Sequence, residues 1–321
     1  MFPKKLKQPI LNLFVANDKL AMLDSLTKTA PPITADTWPA DIALQLSHSK
    51  HGTRLSRCEH RGPLYVQKPF YPEGPDHAHL YLLHPPAGIV SGDTLTINVD
   101  VEPNAAALIT TPGATVVYRA RDDNPIQRQV INLNVQSNAT LEWFPLETIV
   151  HNHACFEATT LINMQANSHF CGWEITSLGL PAKKQLFTDG KFRQRYEIKI
   201  DGTTQFIDQI NINDSNRKAL LNSKAGMQNY MINGFCIFGP VDNQQQAESR
   251  HSDIQLERLR AEQLDCTRDC QVSITRLGDF YVGRYLGTSA EQARRHFTQW
   301  WSIIRQEMLG KEAYSPNVWF T

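Results

Sequence analysis

Apolar and polar residues alternate in short runs along most of this chain, and this two-residue period limits what it can fold into. The run 95–101 (LTINVDV) places an apolar residue at every second position. Successive side chains of a strand point to opposite faces, so such a run predicts a strand with one solvated face. The same period recurs at 131–135 and at 156–164. We therefore expect a mainly β fold of many short strands from Trp38 onwards.

Two hairpins are predicted in the second half of the chain. Alternating runs between residues 192 and 212 flank Asp201-Gly202, a pair that suits the two positive-φ positions of a type I′ turn. A second hairpin is predicted for 271–277 and 280–286, around Gly278-Asp279. These hairpins extend the β-rich pattern towards the C-terminus.

Helix signals appear only late in the sequence. One helix is predicted from Ser252 to about Leu264, because Ser252 and Gln255 form a capping box. The strongest prediction is a helix from Ser289 to about Leu309, ended by Gly310. Its apolar residues fall on one stripe, which predicts either core packing or a partner surface. The stripe consists of Ala293, Phe297, Trp300, Ile304 and Met308.

Composition excludes several classes of function. The chain has 321 residues, and its 32 Lys plus Arg balance its 32 Asp plus Glu. A balanced charge provides no overall field to attract nucleic acid or anionic lipid. No run approaches the roughly 20 apolar residues that a bilayer-spanning helix needs. We expect a cytoplasmic protein that binds neither nucleic acid nor membrane.

The first 37 residues have weak periodicity and are interpreted as a variable N-terminal arm. Three lysines precede an apolar run that resembles a signal peptide, but Asn12 interrupts it and Asn17-Asp18 ends it early. We therefore predict an arm at 1–37 and a single β-rich domain at 38–321. The six cysteines contain no CxxC pair, which argues against a zinc knuckle. A disulfide between Cys266 and Cys270 is left open.

Two histidine pairs have spacing that a metal could use. His77 and His79, like His151 and His153, are separated by one residue, so on a strand each pair would present two imidazoles to one side. Such pairs suit a divalent ion such as nickel or zinc. The alternative, which is the more common case for such pairs, is a chance cluster in an exposed loop. His84 follows an apolar run and precedes Pro85-Pro86, so it is either a strand-end ligand or a hydrogen-bonded core histidine.

Four carboxylates stand in apolar or turn surroundings. Asp208 shares a strand face with apolar residues, and Glu174 lies between Trp173 and Ile175. Asp93 ends a glycine turn, and Glu147 follows an aromatic pair. A carboxylate on an apolar face is usually paired with a partner charge, caps backbone amides or lines a polar passage. Structural pairing is the usual role of any single one, whereas four together make an acid-lined path for a cation conceivable.

The segment from His79 to Asp93 (HLYLLHPPAGIVSGD) resembles the HLYLLHPPGGIVGGD signature of the UreD, or UreH, family of urease accessory proteins. Further matching motifs occur along the chain from Trp38 to the C-terminus. They include 61–74 (RGPLYVQKPFYPEG), 108–115 (LITTPGAT), 141–148 (LEWFPLET), 178–181 (LGLP) and 316–321 (PNVWFT). Ala87 and Ser91 replace glycines of the family turn.

The resemblance implies a non-catalytic maturation factor with a mainly β, β-helix-like fold and a few helices, the longest near the C-terminus. It implies binding to the urease apoprotein, to a UreF-type partner and, through that complex, to a UreG-type GTPase that binds the GTP. It implies transient Ni²⁺ and no tightly bound cofactor. The polar positions of its metal route correspond to Asp93, Thr115, Glu174 and Asp208, to which His84 is added here. The positions expected to shape the turns are Gly88, Gly92, Pro112 and Gly113.

Two functions of other classes remain as alternatives. One is a β-rich hydrolase that uses a carboxylate pair such as Glu142 and Glu174, which would need both groups in one cleft. The other is a carbohydrate- or peptide-binding β module with exposed aromatic residues. The chain contains no GxxxxGK[ST] phosphate loop, no GxSxG nucleophile turn and no HExxH helix. If Asp93, Glu174 and Asp208 lay far apart with blocked access between them, the metal-route hypothesis would fail while the scaffold role would survive.

Overall fold

The computed structural model of this protein describes residues 39–86, 88–241, 249–262 and 269–320. The predicted arm at 1–37 and Cys266 lie outside these residues, so the domain division remains a prediction. The strands of the described part are β1 (Pro39–Ser49), β2 (Gly52–Arg61), β3 (Tyr65–Val66), β4 (His77–Leu83), β5 (Gly88–Ile89), β6 (Thr94–Val101), β7 (Ala106–Thr110), β8 (Thr115–Val117), β9 (Gln127–Val135), β10 (Thr140–Phe144), β11 (Thr148–Val150), β12 (Cys155–Met164), β13 (His169–Leu180), β14 (Gln185–Leu186), β15 (Lys191–Ile200), β16 (Thr203–Ile212), β17 (Ile232–Gly239), β18 (Cys270–Leu277) and β19 (Phe280–Gly287).

The central strands stack in parallel as the coils of a three-faced β-helix. On the first face, β7 pairs with β4 and β10, and β10 pairs with the first half of β13. On the second face, β5, β8 and β11 pair in turn, and β11 pairs with the second half of β13. On the third face the order is β6, β9, β12 and β15. Each successive coil therefore continues the ladder begun by the previous one.

Antiparallel strands complete both large sheets. In the seven-stranded sheet β1 pairs in parallel with β6, whereas β2 pairs antiparallel with β1 at one edge and β16 pairs antiparallel with β15 at the other. In the twelve-stranded sheet β17, β19 and β18 extend the ladder beyond β13. This architecture confirms the predicted β-helix-like stack of many short strands.

The predicted hairpins are present. Strands β15 and β16 are joined by Asp201 and Gly202, which have φ values of 48° and 78°, as a type I′ turn requires. Strands β18 and β19 form the second hairpin around Gly278. The run at 95–101 lies within β6, whose burial alternates residue by residue, as its sequence predicts.

The described residues form three α-helices: α1 (Arg217–Asn222), α2 (Ser249–Ala261) and α3 (Ala290–Leu309). Helix α3 begins as predicted, because the Ser289 hydroxyl accepts a hydrogen bond from the Gln292 N–H, and it ends at Gly310 in a left-handed conformation. Helix α2 begins three residues earlier than predicted, so Ser252 lies inside it and the predicted cap is wrong. Helix α1 has no matching sequence prediction.

No helix among the described residues is long and apolar enough to cross a bilayer.

Helix α3 packs on the outer side of the twelve-stranded sheet, against β13, β17 and β19. Trp300 and Trp301 are fully buried there, and Phe144 stacks on Trp173 at 4.2 Å between ring centroids. The hypothesis that the paired tryptophans form a partner surface is therefore wrong for these residues. A second, larger core fills the inside of the β-helix with aliphatic side chains from both sheets. The strands of the first face thus have one core on each side.

Candidate functional site

A cavity of about 270 Å³ lies inside the β-helix, between strands of the two sheets. Its wall is largely aliphatic and aromatic, with contributions from β4, β6, β9 and β10. Six polar residues line it. They are His84, Thr111, Thr115, Gln129, Thr148 and Glu174. The cavity thus brings together three of the five residues predicted for a metal route, namely His84, Thr115 and Glu174.

Glu174 is the acidic residue of this cavity. The alternation along β13 turns its carboxylate inwards, where the Thr160 hydroxyl donates a hydrogen bond to Oε1 at 3.2 Å. The residue is half-buried, and it lines the cavity. Burial raises the pKa of Glu174 to about 7, against the opposing effect of the Thr160 hydrogen bond. Near neutral pH this carboxyl can therefore exchange a proton for a cation.

This raised pKa has a consequence for stability. The unfolded carboxyl releases its proton near pH 4.5, whereas the folded one keeps it until about pH 7, so the wild type loses stability as pH rises between these values. We expect Glu174→Gln to be the more stable protein at pH 8, by about 3 kcal/mol, and the two to converge near pH 4. Urea unfolding at both pH values measures the difference. A glutamine variant that is less stable at pH 8 would contradict the burial of an ionisable carboxyl.

His84 lies just after β4 and lines the same cavity. Burial lowers the pKa of His84, and the nearby charge of Asp93 partly opposes that shift. The imidazole is therefore neutral at physiological pH, which is the form that ligates metals. The structure supports the strand-end position that the sequence predicted for His84.

Asp93 caps a backbone amide, which is one of the roles that the sequence left open for this carboxylate. Its side chain accepts a hydrogen bond from the Val90 N–H at 3.1 Å and closes the turn in which Gly92 has a φ of 83°. Ser91, which replaces a family glycine, accepts a hydrogen bond from the Arg121 N–H at 2.7 Å. Asp93 is 8% exposed and does not line the cavity, although its charge acts on His84. The carboxylate thus shapes the turn that carries the start of β6.

The other predicted turn residues fall into two groups. Gly88 lies in β5, where a side chain would meet the Tyr118 ring at 2.1 Å, so close packing requires glycine at this position. Pro112 and Gly113 follow β7 and line the cavity. Pro112 and Gly113 therefore form part of the cavity wall, whereas Gly88 allows close packing beside Tyr118.

The structure does not bring Asp208 to this cavity. It lies on the face of β16 that also carries Phe206, as predicted, but its carboxylate forms an ion pair with Arg284. Asp208 is paired with Tyr196 in one ladder, and Glu174 is paired with Phe235 in another. The ring centroids of Tyr196, the strand neighbour of Asp208, and Phe235, the strand neighbour of Glu174, are 4.8 Å apart. These two packed rings therefore lie between the strand positions of the two acids. The role of Asp208 in a metal route remains a prediction that geometry does not support.

A second polar cluster is buried outside the β-helix, under α3. Arg305 and Glu142 have no exposed side-chain surface, and Arg305 Nε lies 2.9 Å from Glu142 Oε1. Arg305 Nη2 also lies 2.7 Å from Glu73 Oε2. His77 and His79 are each 1% exposed and point into this cluster. The interpretation of His77 and His79 as an exposed loop pair is therefore wrong.

Glu142 and Arg305 each have a local signal in the sequence, but no local signal pairs the two. Glu142 stands between Leu141 and Trp143 in a strand that is buried throughout, and Arg305 follows Trp301 by one helical turn. The pairing between them spans 163 residues, which no local pattern encodes. In the other histidine pair, His153 is exposed in a turn, as the loop interpretation predicts, and contacts Asp189 at 3.1 Å, whereas His151 is half-buried with its ring 5.5 Å from that of Tyr118.

The two carboxylates of the hydrolase alternative do not share a cleft. Glu142 points towards α3, where the Trp301 indole N–H donates a hydrogen bond to Oε1 at 2.6 Å. Glu174 points to the opposite side of the same sheet, towards Thr160 and the cavity. A hydrolase needs both groups around one bond, so this pair cannot serve that chemistry.

Comparisons with known proteins agree on one family. The model of the family described as UreD urease accessory protein matches residues 39–320. A urease accessory protein UreD of Marinomonas sp. (strain MWYL1) is 41% identical over 296 residues, which cover 92% of this chain and 94% of that protein. Its counterpart in Psychromonas ingrahamii is 40% identical over 91% of this chain and 98% of that protein. One in Escherichia coli is 36% identical over 88% and 97%.

Proposed function

Because the chain belongs to the UreD family of urease accessory proteins, and therefore serves urease maturation in an accessory role, we propose that it conducts Ni²⁺ to the urease apoprotein through its interior cavity. The single observation that carries this proposal is the grouping of His84, Thr115 and Glu174 around one cavity. Nickel in this proposal is cargo, and no tightly bound cofactor is required.

The chemistry of the cavity suits transient binding of a borderline cation. Imidazole nitrogen and carboxylate oxygen are ligands that Ni²⁺ accepts, and a threonine hydroxyl adds a weak oxygen. A neutral His84 and a Glu174 that titrates near pH 7 allow the ion to enter by displacing a proton. A set with few strong ligands holds the ion only weakly, and weak binding is what a conduit needs. Asp93 contributes a nearby negative charge at the turn.

A partner protein binds the GTP in this proposal. The sequence contains no GxxxxGK[ST] loop, so the GTP that drives insertion is bound by a partner of the UreG type. We propose that a UreF-type protein joins this chain to that GTPase and that the assembly acts on urease apoprotein in the cytoplasm.

Reconstitution tests the proposal directly. Urease apoprotein, UreF-type and UreG-type partners, GTP and Ni²⁺ are combined with and without this chain, and nickel per urease active site is measured by mass spectrometry. We expect nickel incorporation and co-purification of this chain with the complex only when it is present. Full nickel incorporation without the chain would refute the proposed role. A chain that joins the complex but changes nothing in nickel content would refute the conduit and leave a scaffold.

A further inference from the structure

The buried cluster under α3 contains the donor atoms of a metal site. His77 and His79 alternate along β4, so both imidazoles project to the same side of the strand. His79 Nε2 lies 2.7 Å from Glu73 Oε1. One ligand atom from each of Glu73, His77 and His79 lies within 4.8 Å of the other two. Two imidazoles and a carboxylate form a donor set that suits nickel, zinc or cobalt.

The charges in this cluster do not cancel. Glu73 and Glu142 contribute two negative charges, and the Arg305 guanidinium contributes one positive charge. The two imidazoles lie against these carboxylates, and the remaining neighbours are uncharged: Tyr314 lies against His79, and the Cys171 thiol lies near Glu142. With both imidazoles neutral, one buried negative charge remains, and burying an uncompensated charge is costly. A proton on one of the imidazoles or a bound cation removes this excess.

His77 supplies an independent observation. Its Nε2 atom is buried and makes no hydrogen bond, although it lies 3.0 Å from Glu142 Oε2. Buried polar atoms are nearly always hydrogen-bonded, so an imidazole nitrogen without a bond that points into an anionic cluster has the character of an unused ligand.

We propose that Glu73, His77 and His79 form a second divalent-cation site, separate from the cavity, for a borderline ion such as Zn²⁺ or Ni²⁺. Glu73 Oε1 and the two Nε2 atoms bind the ion. Arg305 keeps its contact with Glu73 Oε2 and thereby orients the carboxylate, as outer-shell partners of metal ligands do. This inference does not depend on the proposed conduit, because it uses none of the cavity residues.

The geometry needs only a small adjustment to accept an ion. Two ligand atoms that are each about 2.1 Å from a metal lie at most about 4.2 Å apart, and these three atoms already lie within 4.8 Å of one another. Glu73 lies in the loop between β3 and β4 and is 10% exposed, and Tyr314 beside His79 is 41% exposed. The cluster therefore reaches the surface at these two residues, which provides an entry path next to the segment that follows α3.

Zinc titration of the untagged full-length chain by isothermal calorimetry tests the site. We expect His79→Gln to weaken zinc binding at one site by at least tenfold. His60→Gln is the matched control, because His60 is an exposed histidine of β2, and Glu174→Gln is the control for the cavity. Neither control should remove this site. Equal zinc binding by His79→Gln and the wild type would overturn the proposal.

Anomalous diffraction from zinc-soaked wild-type crystals gives a second measurement that does not depend on the folding of a variant. We expect an anomalous peak within bonding distance of Nε2 of both His77 and His79. Anomalous peaks only at other positions would overturn the proposal, since they would show that Arg305 and a proton already satisfy the cluster.

Discussion

Urease matured with a Glu174→Gln variant of this protein should contain about tenfold less nickel than urease matured with the wild type, a loss of about 1.4 kcal/mol in cation binding. Glutamine keeps the shape of the side chain and a hydrogen-bond partner for Thr160, but it removes the acidic group of the cavity. Co-expression with the urease operon, followed by metal analysis of purified urease, measures the effect. Because we also expect this variant to be at least as stable as the wild type, misfolding would not explain the loss.

Two matched variants define what that result means. Glu157→Gln removes a carboxylate of β12 that lies 3.4 Å from Arg128 and does not line the cavity. We therefore expect this variant to leave the nickel content of urease unchanged. Asp208→Ala tests whether the route extends beyond the cavity, as the sequence predicted. Normal nickel content with Glu174→Gln, at normal amounts of the complex, would contradict the conduit.

Replacing Arg305 by alanine should destabilise the fold by about 3–5 kcal/mol, the usual cost of removing one partner from a buried ion pair. Its guanidinium contacts Glu142 at 2.9 Å and Glu73 at 2.7 Å, and it donates a hydrogen bond to the Glu312 carbonyl. Without it, the fully buried Glu142 loses its guanidinium partner and keeps only His77 and the Trp301 indole beside it. Urea unfolding at pH 7, followed by tryptophan fluorescence, measures the difference.

The matched control for this variant lies on the same helix. Arg295 is exposed, so Arg295→Ala should change stability by less than about 0.5 kcal/mol. Similar effects of the two substitutions would show that the network under α3 contributes little to stability.

The fold was predictable to the extent that its signals are local. The alternation along 95–101, the Asp201-Gly202 turn and the Ser289 cap each depend on neighbouring residues, and each is present. The cap of α2 was predicted wrongly, because Ser252 matches the capping pattern although the helix starts earlier. The stacking of parallel coils followed from the family resemblance, since pairings such as β4 with β7 join distant segments.

The candidate site was only partly predictable for the same reason. Glu174 stood out because a charge between Trp173 and Ile175 must be compensated, and the structure places it in the cavity. Asp208 gave the same signal, but its charge is neutralised locally by Arg284. Local sequence shows that a buried charge needs a partner, and it does not show whether that partner is a cation in transit or an arginine 76 residues away.

The two faces of strand β13 contact two different environments. Trp173 points outwards into the dry aromatic layer beneath α3, and Glu174 points inwards to the polar cavity. The parity of a position along the strand therefore decides which compartment a substitution reaches. Positions such as 173 contact the helix side of the strand, and positions such as 174 line the cavity. The packing of α3 and the polarity of the cavity can thus change independently, although adjacent residues encode them.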